Sequence, residues 1–279
     1  MANKSVQATS TKATSEIAIP EPNKISQRLF VVDGFPIRYL VIPKCGCTYV
    51  KNVLWRLQHG QSHDAPIRVH DDDERFARAS DLNLTPVDIA HEEHAFTVVR
   101  KPIDRFLSLY FDKVVGPGRK NYVPLATTLE AKRGLISTPQ GAEEHRKNIA
   151  ILIDWLGDNL SDEVDLPKEA HWTPQMYRKN ILEKCNLKLL LVEDLTVHLR
   201  VLLSGIVPGI EDLLGTSERN ESPKKAQKNS ILTPKLRNRI NEVYAGDKKL
   251  YQRTRNAWKA IDLANADAAA VPRYRSIIT

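Results

Sequence analysis

Ile37-Arg-Tyr-Leu-Val-Ile-Pro-Lys-Cys-Gly-Cys-Thr48 is an apolar, strand-like run that breaks into a turn of small residues. Beyond it, Val50, Val53, Leu54 and Leu57 recur at helical spacing, which predicts an amphipathic helix over roughly Thr48–Gln58. A strand that feeds a helix through such a turn is a ready anion site. Backbone N–H groups point outward there, and the positive end of the helix dipole faces the ligand. Lys44 adds a full charge and Thr48 a hydroxyl. The stretch therefore predicts a grip on a phosphate-like group.

Upstream, Leu29–Val32 and Phe35–Ile42 flank Asp33-Gly34, a hairpin signal. Downstream, Ala95–Val99 and Leu187–Val192 read as buried strands. The first should lead into a helix from Pro102, with Phe106, Leu107, Tyr110, Phe111 and Val114 inward and Arg105, Ser108 and Asp112 on the other side. Helices are also expected over Glu143–Leu156, Leu195–Leu203 and from Thr233-Pro234, a cap followed by Pro at the first helical position. His59–Asp88, with its acidic run Asp71-Asp-Asp-Glu74, reads as a solvated loop with short helices. Gly116–Gly141 and Glu218–Ser230 read as loops, and the end from Ala264 is weakly patterned.

Strands alternating with helices argue for an α/β fold: a parallel, P-loop-like sheet with helices on both sides, in one domain over 27–262. Residues 1–26 read as a flexible polar tail and 263–279 as a C-terminal segment. Ligands of such sheets sit at the carboxyl ends of the strands. Lys44 and Arg100 both follow a strand directly, so two cations should meet at one edge.

Composition sets the outer bounds. The chain has 279 residues, 42% hydrophobic and 27% charged, enough for a real core. A net charge of +7 and a pI near 9.2 favour a polyanionic ligand. Acids are interspersed among the bases, however, and no aromatic–basic ladder appears, which argues against a nucleic-acid partner. The three cysteines, Cys45, Cys47 and Cys185, make neither a disulfide framework nor a metal-ligand set, and fit a reducing compartment. No apolar run approaches a transmembrane helix and no apolar leader opens the chain, so the expected location is cytoplasmic.

The turn is not a nucleoside-triphosphate loop of the form G-x-x-x-x-G-K-[ST]: it has one glycine, and the lysine precedes it. It is long enough to cradle one phosphate or sulfate. A second element, Arg100-Lys-Pro-Ile-Asp-Arg-Phe-Leu-Ser108, puts a guanidinium at a strand end and a hydroxyl about two turns into a helix, a clamp for a second phosphate.

Together these elements resemble the sulfotransferases that use 3′-phosphoadenosine-5′-phosphosulfate (PAPS), specifically the carbohydrate, family 2, branch. That branch carries a strand–P-K-x-G-C-T–helix element, here Ile42-Pro-Lys-Cys-Gly-Cys-Thr-Tyr-Val-Lys51. Its second element, V-R-x-P-x-x-R-x-x-S-x-Y, reads here Val99 through Tyr110 and runs on to Lys113. His171-Trp-Thr-Pro-Gln175, Leu189–Leu195, Asn220-Glu-Ser222 and Val243-Tyr-Ala-Gly-Asp247 resemble further family elements, so the likeness spans roughly Leu29–Arg253.

The resemblance implies sulfonate transfer from PAPS to a hydroxyl of a carbohydrate-type acceptor, leaving adenosine 3′,5′-bisphosphate, with no metal. It assigns donor binding to Lys44, Cys45, Gly46, Cys47, Thr48, Tyr49, Arg100 and Ser108, and leaving-group stabilisation to Lys44. A base must take the acceptor proton. His91, Glu92, Glu93, His94, His70 and His171 are candidates, with His94 or Glu93, just before the second core strand, preferred. Blander readings accompany these. Arg105 reads as a salt-bridge partner, Trp172 as a packing anchor, and Lys224 and Lys225 as equally a solvated surface or a cover for the nucleotide. The alternatives are a non-catalytic nucleotide- or polyanion-binding member of the fold, or a divergent P-loop kinase.

Overall fold

Gly34, at φ 75°, turns the chain where a side chain would be strained. The flanking β1 (Leu29–Val31) and β2 (Ile37–Leu40) then pair antiparallel, Leu29 opposite Leu40. The structure is a computed structural model, and it describes residues 25–116, 118, 123–162, 165–216 and 230–278. β2 feeds α1 (Cys47–His59). A polar stretch follows, with a 3-10 segment over Pro66–Arg75 and the short α2 (Pro86–His91). Next come β3 (His94–Val99) and α3 (Pro102–Leu109), which widens directly into a π-helical turn over Tyr110–Val114. α4 (Val123–Arg133), α5 (Gly141–Asp162), a 3-10 turn (Gln175–Arg178) and α6 (Lys179–Lys184) lead to β4 (Lys188–Leu191). α7 (Leu195–Leu203), α8 (Ile210–Thr216), α9 (Pro234–Val243), α10 (Ala245–Lys259) and α11 (Tyr274–Ile278) follow.

The strands form one sheet in the order β1-β2-β3-β4; β2, β3 and β4 are parallel and β1 is antiparallel. Every residue of the three parallel strands is buried, as a sheet covered by helices on both faces requires. Their carboxyl ends share one edge. There β2 leads to Lys44, β3 to Arg100, and β4 to the start of α7.

Two apolar clusters hold the molecule. One surrounds the sheet and takes in Val50, Val53 and Leu54 of α1. The other joins Phe106, Leu107, Tyr110 and Val114 to Ile149, Leu152, Ile153 and Leu156 of α5, with Trp155 and Trp172 edge-to-face at 5.7 Å. Trp172 is the packing anchor its type suggested.

Some expectations need correction. Part of the stretch read as a Gly116–Gly141 loop is α4. Leu125 and Leu129, one helical turn apart, are its only fully buried leucines, too short a stripe to stand out in sequence. The helix begun at Thr233-Pro234 breaks at Tyr244 and restarts as α10. Arg105 does not lie on the outer side of α3 but is 3% exposed. Ile25 and Ser26 are buried, with Ser26 Oγ donating to the Leu84 carbonyl at 2.5 Å. Residues 1–24 and 217–229, which include Asn220-Glu-Ser222 and Lys224-Lys225, lie outside the described residues.

Candidate active site

The turn between β2 and α1 bends by two left-handed residues, Lys44 at φ 66° and Gly46 at φ 74°. A Cβ on Gly46 would lie 3.1 Å from Leu195 Cδ2 and 3.4 Å from Val192 Cγ2, so the turn sits tightly on the β4–α7 junction. No acidic residue occupies the first turn of α1, whose leading N–H groups have no intrahelical acceptor. Cys45 is buried, donates through Sγ to Gln175 Oε1 at 3.2 Å, and has its pKa pushed up to about 12 by burial. It is a small core thiol. Tyr49 turns its side chain into the core, its hydroxyl donating to the Leu214 carbonyl at 2.9 Å, so only its backbone amide belongs to the cradle.

Arg100 lies beside this turn, its Nη1 donating to the Lys44 carbonyl at 2.8 Å. Gln175 fixes it from behind: Oε1 accepts from Arg100 N and Nε2 donates to Arg100 O, both at 2.9 Å. Asp247 holds Gln175 in turn, accepting from the backbone amides of Gln175 (2.8 Å) and Met176 (2.9 Å). Tyr244 donates to the Trp172 carbonyl at 2.8 Å. The downstream motifs thus frame the two cationic turns.

Arg105 makes neither the expected salt bridge nor a contact at the mouth. Its guanidinium staples three backbones, donating to the carbonyls of Pro43 (3.1 Å), Thr173 (2.9 Å) and Ala170 (2.8 Å). That draws the 169–175 loop against the Lys44 turn.

The Lys44 ammonium is 2.5 Å from Asp112 Oδ2, and Lys113 Nζ lies 3.5 Å from the same oxygen. Burial pushes the Asp112 carboxyl up, but Lys44 and Lys113 outweigh it and hold it below its ordinary value. Ser108 is half-buried on α3.

On the opposite wall His70 places Nε2 at 3.1 Å from Thr48 Oγ1 and 3.7 Å from Cys47 Sγ, with Nδ1 2.7 Å from Lys51 Nζ. Lys51 is 2% exposed and pairs with Asp73 at 2.5 Å. Burial first, then the nearby Lys51, His171, Lys44 and Lys113, push the His70 pKa down to about 3, although the residue as a whole is exposed, so the neighbouring cations are the firmer part of that shift. His171, half-buried, sets Nδ1 2.8 Å from Glu169 Oε1.

The preferred bases are not at this edge. His94 opens β3, whose six residues place it ~20 Å from Arg100 at about 3.3 Å per residue. Glu93 precedes it, His91 ends α2, and Glu92 is bound to Arg38 at 3.0 Å. They sit at the amino end of β3, whereas Lys44 and Arg100 follow the carboxyl ends of β2 and β3, and a parallel sheet separates its two ends. His70 and His171 are the two candidates the fold brings to the mouth.

Asp112, Asp73, Glu169 and Lys51 also stand among these side chains without having been singled out from sequence. Lys51 lies three residues after Thr48 on one helix, a spacing that puts both on the same face. Glu169 lies two residues before His171. Asp112 lies four residues after Ser108, but the π turn takes it out of the α-helical register that this spacing assumes.

The chain matches no curated protein and no solved structure at a significant level. A family model described as "Sulfotransferase family" matches residues 27–252, which takes in both cationic turns, the His171–Gln175 loop and Asp247. With that match over most of its length, the chain belongs to the sulfotransferase family.

Proposed function

We propose that the protein moves a sulfonate group from PAPS to a hydroxyl of a carbohydrate-type acceptor. The observation that carries this reading is the meeting of Lys44, Arg100, Lys51 and Lys113 with His70 and His171 where the Lys44 turn opens α1. That is an excess of positive charge suited to a nucleotide with phosphates at both its 5′ and 3′ positions. The donor supplies the activated sulfonate. First-turn amides of α1 and the Thr48 hydroxyl hold its 5′ end, and Arg100 with Ser108 holds the 3′-phosphate. Lys44 stabilises charge developing on the leaving phosphate oxygen, and a histidine at the mouth takes the acceptor proton. The short turn with a single glycine speaks against wrapping a triphosphate. The likeness to the carbohydrate branch supports a sugar hydroxyl.

Calorimetry with adenosine 3′,5′-bisphosphate tests the reading. Binding is expected, and Lys44→Ala and Arg100→Ala each weaken it by roughly 10- to 100-fold, the range for one charge-assisted hydrogen bond. Failure to bind, or tighter binding of ATP with magnesium, overturns it. A labelled-donor assay across an acceptor panel then tests the sugar.

A further inference from the structure

The two histidines at the mouth differ in what holds Nδ1. For His70 the partner is the Lys51 ammonium at 2.7 Å. An ammonium can only donate; burial lowers the Lys51 pKa, and Asp73 at 2.5 Å works against that. Nδ1 of His70 therefore accepts, the ring proton sits on Nε2, and Nε2–H is directed at Thr48 Oγ1, 3.1 Å away in the cradle. For His171 the partner is the Glu169 carboxylate, with oxygens at 2.8 and 3.0 Å. An ionised carboxylate can only accept, and the His171 backbone amide donates to the same group at 2.8 Å, which fixes it. Nδ1 of His171 therefore carries the proton and Nε2 keeps its lone pair.

Charge sorts the pair the same way. A proton gained by His70 would sit beside Lys51, whereas the group set against the His171 ring is the Glu169 carboxylate. The depressed pKa of His70, about 3, agrees with the first half. Placement also fits. Arg105 joins the carbonyls of Pro43 (3.1 Å) and Ala170 (2.8 Å), and reaches the His171 carbonyl at 3.4 Å, so His171 is tied to the backbone that presents Lys44.

We infer that His171 is the base of the transfer and that His70, donating to Thr48 Oγ1, turns the Thr48 hydroxyl toward the sulfonate in flight, the two held in opposite tautomers by Glu169 and Lys51. The inference rests on the sulfonate-transfer reading above. In the step, the acceptor oxygen forms a bond to sulfur as the sulfur–phosphate-oxygen bond breaks. The acceptor proton goes to His171 Nε2, and the electron pair of the broken bond goes to the phosphate oxygen beside Lys44. Glu169 and Lys51, with Asp73 behind it, are positioning residues.

The test is nitrogen-15 NMR of the full chain labelled at its eight histidines. His70→Gln and His171→Gln assign the two signals. At pH 8, with no ligand, His70 is expected to carry its proton on Nε2 and His171 on Nδ1. The reverse assignment, or an averaged tautomer at either ring, overturns the inference. Glu169→Ala is expected to release the His171 preference and leave His70 unchanged, and Lys51→Met to do the opposite; an unchanged tautomer in either variant overturns that positioning role. Slow transfer of sulfonate from PAPS to water, read as bisphosphate released, should fall ~100-fold or more in His171→Gln, the contribution of a general base. In His70→Gln, which keeps a donor, it should fall less than about tenfold. The opposite order overturns the assignment. Nucleotide calorimetry separates the two failures: a chain that does not bind the bisphosphate loses the transfer reading whatever its tautomers, and one that binds it with tautomers exchanged loses only the proton assignment.

Discussion

Lys44 adopts a left-handed backbone at φ 66°, a conformation that costs a non-glycine residue ~1–2 kcal/mol. Strain of that kind is tolerated where it aims a working group, here an ammonium at the head of α1. Asp112 holds that ammonium at 2.5 Å. Under the proposed function, a phosphate reaching Lys44 displaces the carboxylate, whose negative charge also opposes the nucleotide. Asp112→Asn is therefore expected to tighten adenosine 3′,5′-bisphosphate binding by roughly fivefold, the equivalent of an ion pair of about 1 kcal/mol. Weaker binding in a titration of this variant would show that Asp112 orients Lys44 rather than competes for it. The turn itself was legible in sequence because its chemistry is local: Pro43, Lys44, Gly46 and Thr48 are contiguous. Arg105 was not, since its acceptors are the backbone carbonyls of Pro43, Ala170 and Thr173, and carbonyls leave no mark in a sequence.

The elements were legible wherever one face is apolar at a steady period, which covers the four strands, α1, α3, α5 and α7. Reading failed where the period changes. α3 widens at Tyr110–Val114, and the extra residue per turn swings Asp112 and Lys113 toward Lys44, while an unbroken 3.6-residue period keeps Asp112 with the outer face. The break at Tyr244 is a second such change. By interrupting one long helix it brings the start of α10 to the 3-10 turn at Gln175, where the buried Asp247 carboxylate satisfies two backbone amides. Removing that acceptor leaves both amides unpaired in the interior, at about 1–3 kcal/mol each. Asp247→Ala should lower unfolding free energy by roughly 3 kcal/mol in urea titrations. Asp247→Asn, which retains one oxygen, should lose about half of that. Because Gln175 carries Arg100, bisphosphate binding should weaken alongside. Equal stability of Asp247→Ala and the parent would remove Asp247 from the frame of the site.

At the scale of the molecule the sheet has an end that carries Lys44 and Arg100 and a fastened end. The carboxyl ends of β2 and β3 lead to Lys44 and Arg100, while the C-terminal segment fastens the amino ends of β3 and β4. Leu189 N donates to the Pro272 carbonyl and Tyr274 N to the Leu187 carbonyl, both at 2.9 Å, so this segment pairs the outer side of β4. The stretch around Arg78 does the same for β1, with Val31 N donating to the Ala77 carbonyl at 2.9 Å. Neither edge is left open as a template for another chain. Arg273 is the rivet of the first closure, its guanidinium donating to the carbonyls of Ala90 (3.1 Å), Asn186 (3.2 Å) and Glu92 (3.0 Å). Truncating it strips three carbonyls of a charged donor at once, so Arg273→Ala should cost about 2–4 kcal/mol of stability by urea unfolding and promote aggregation on mild heating. The Lys44 turn and Arg100 lie at the far end of the same strands, so the folded fraction should bind adenosine 3′,5′-bisphosphate with unchanged affinity. A variant that keeps its stability but loses nucleotide binding would mean that the two ends of the sheet are coupled.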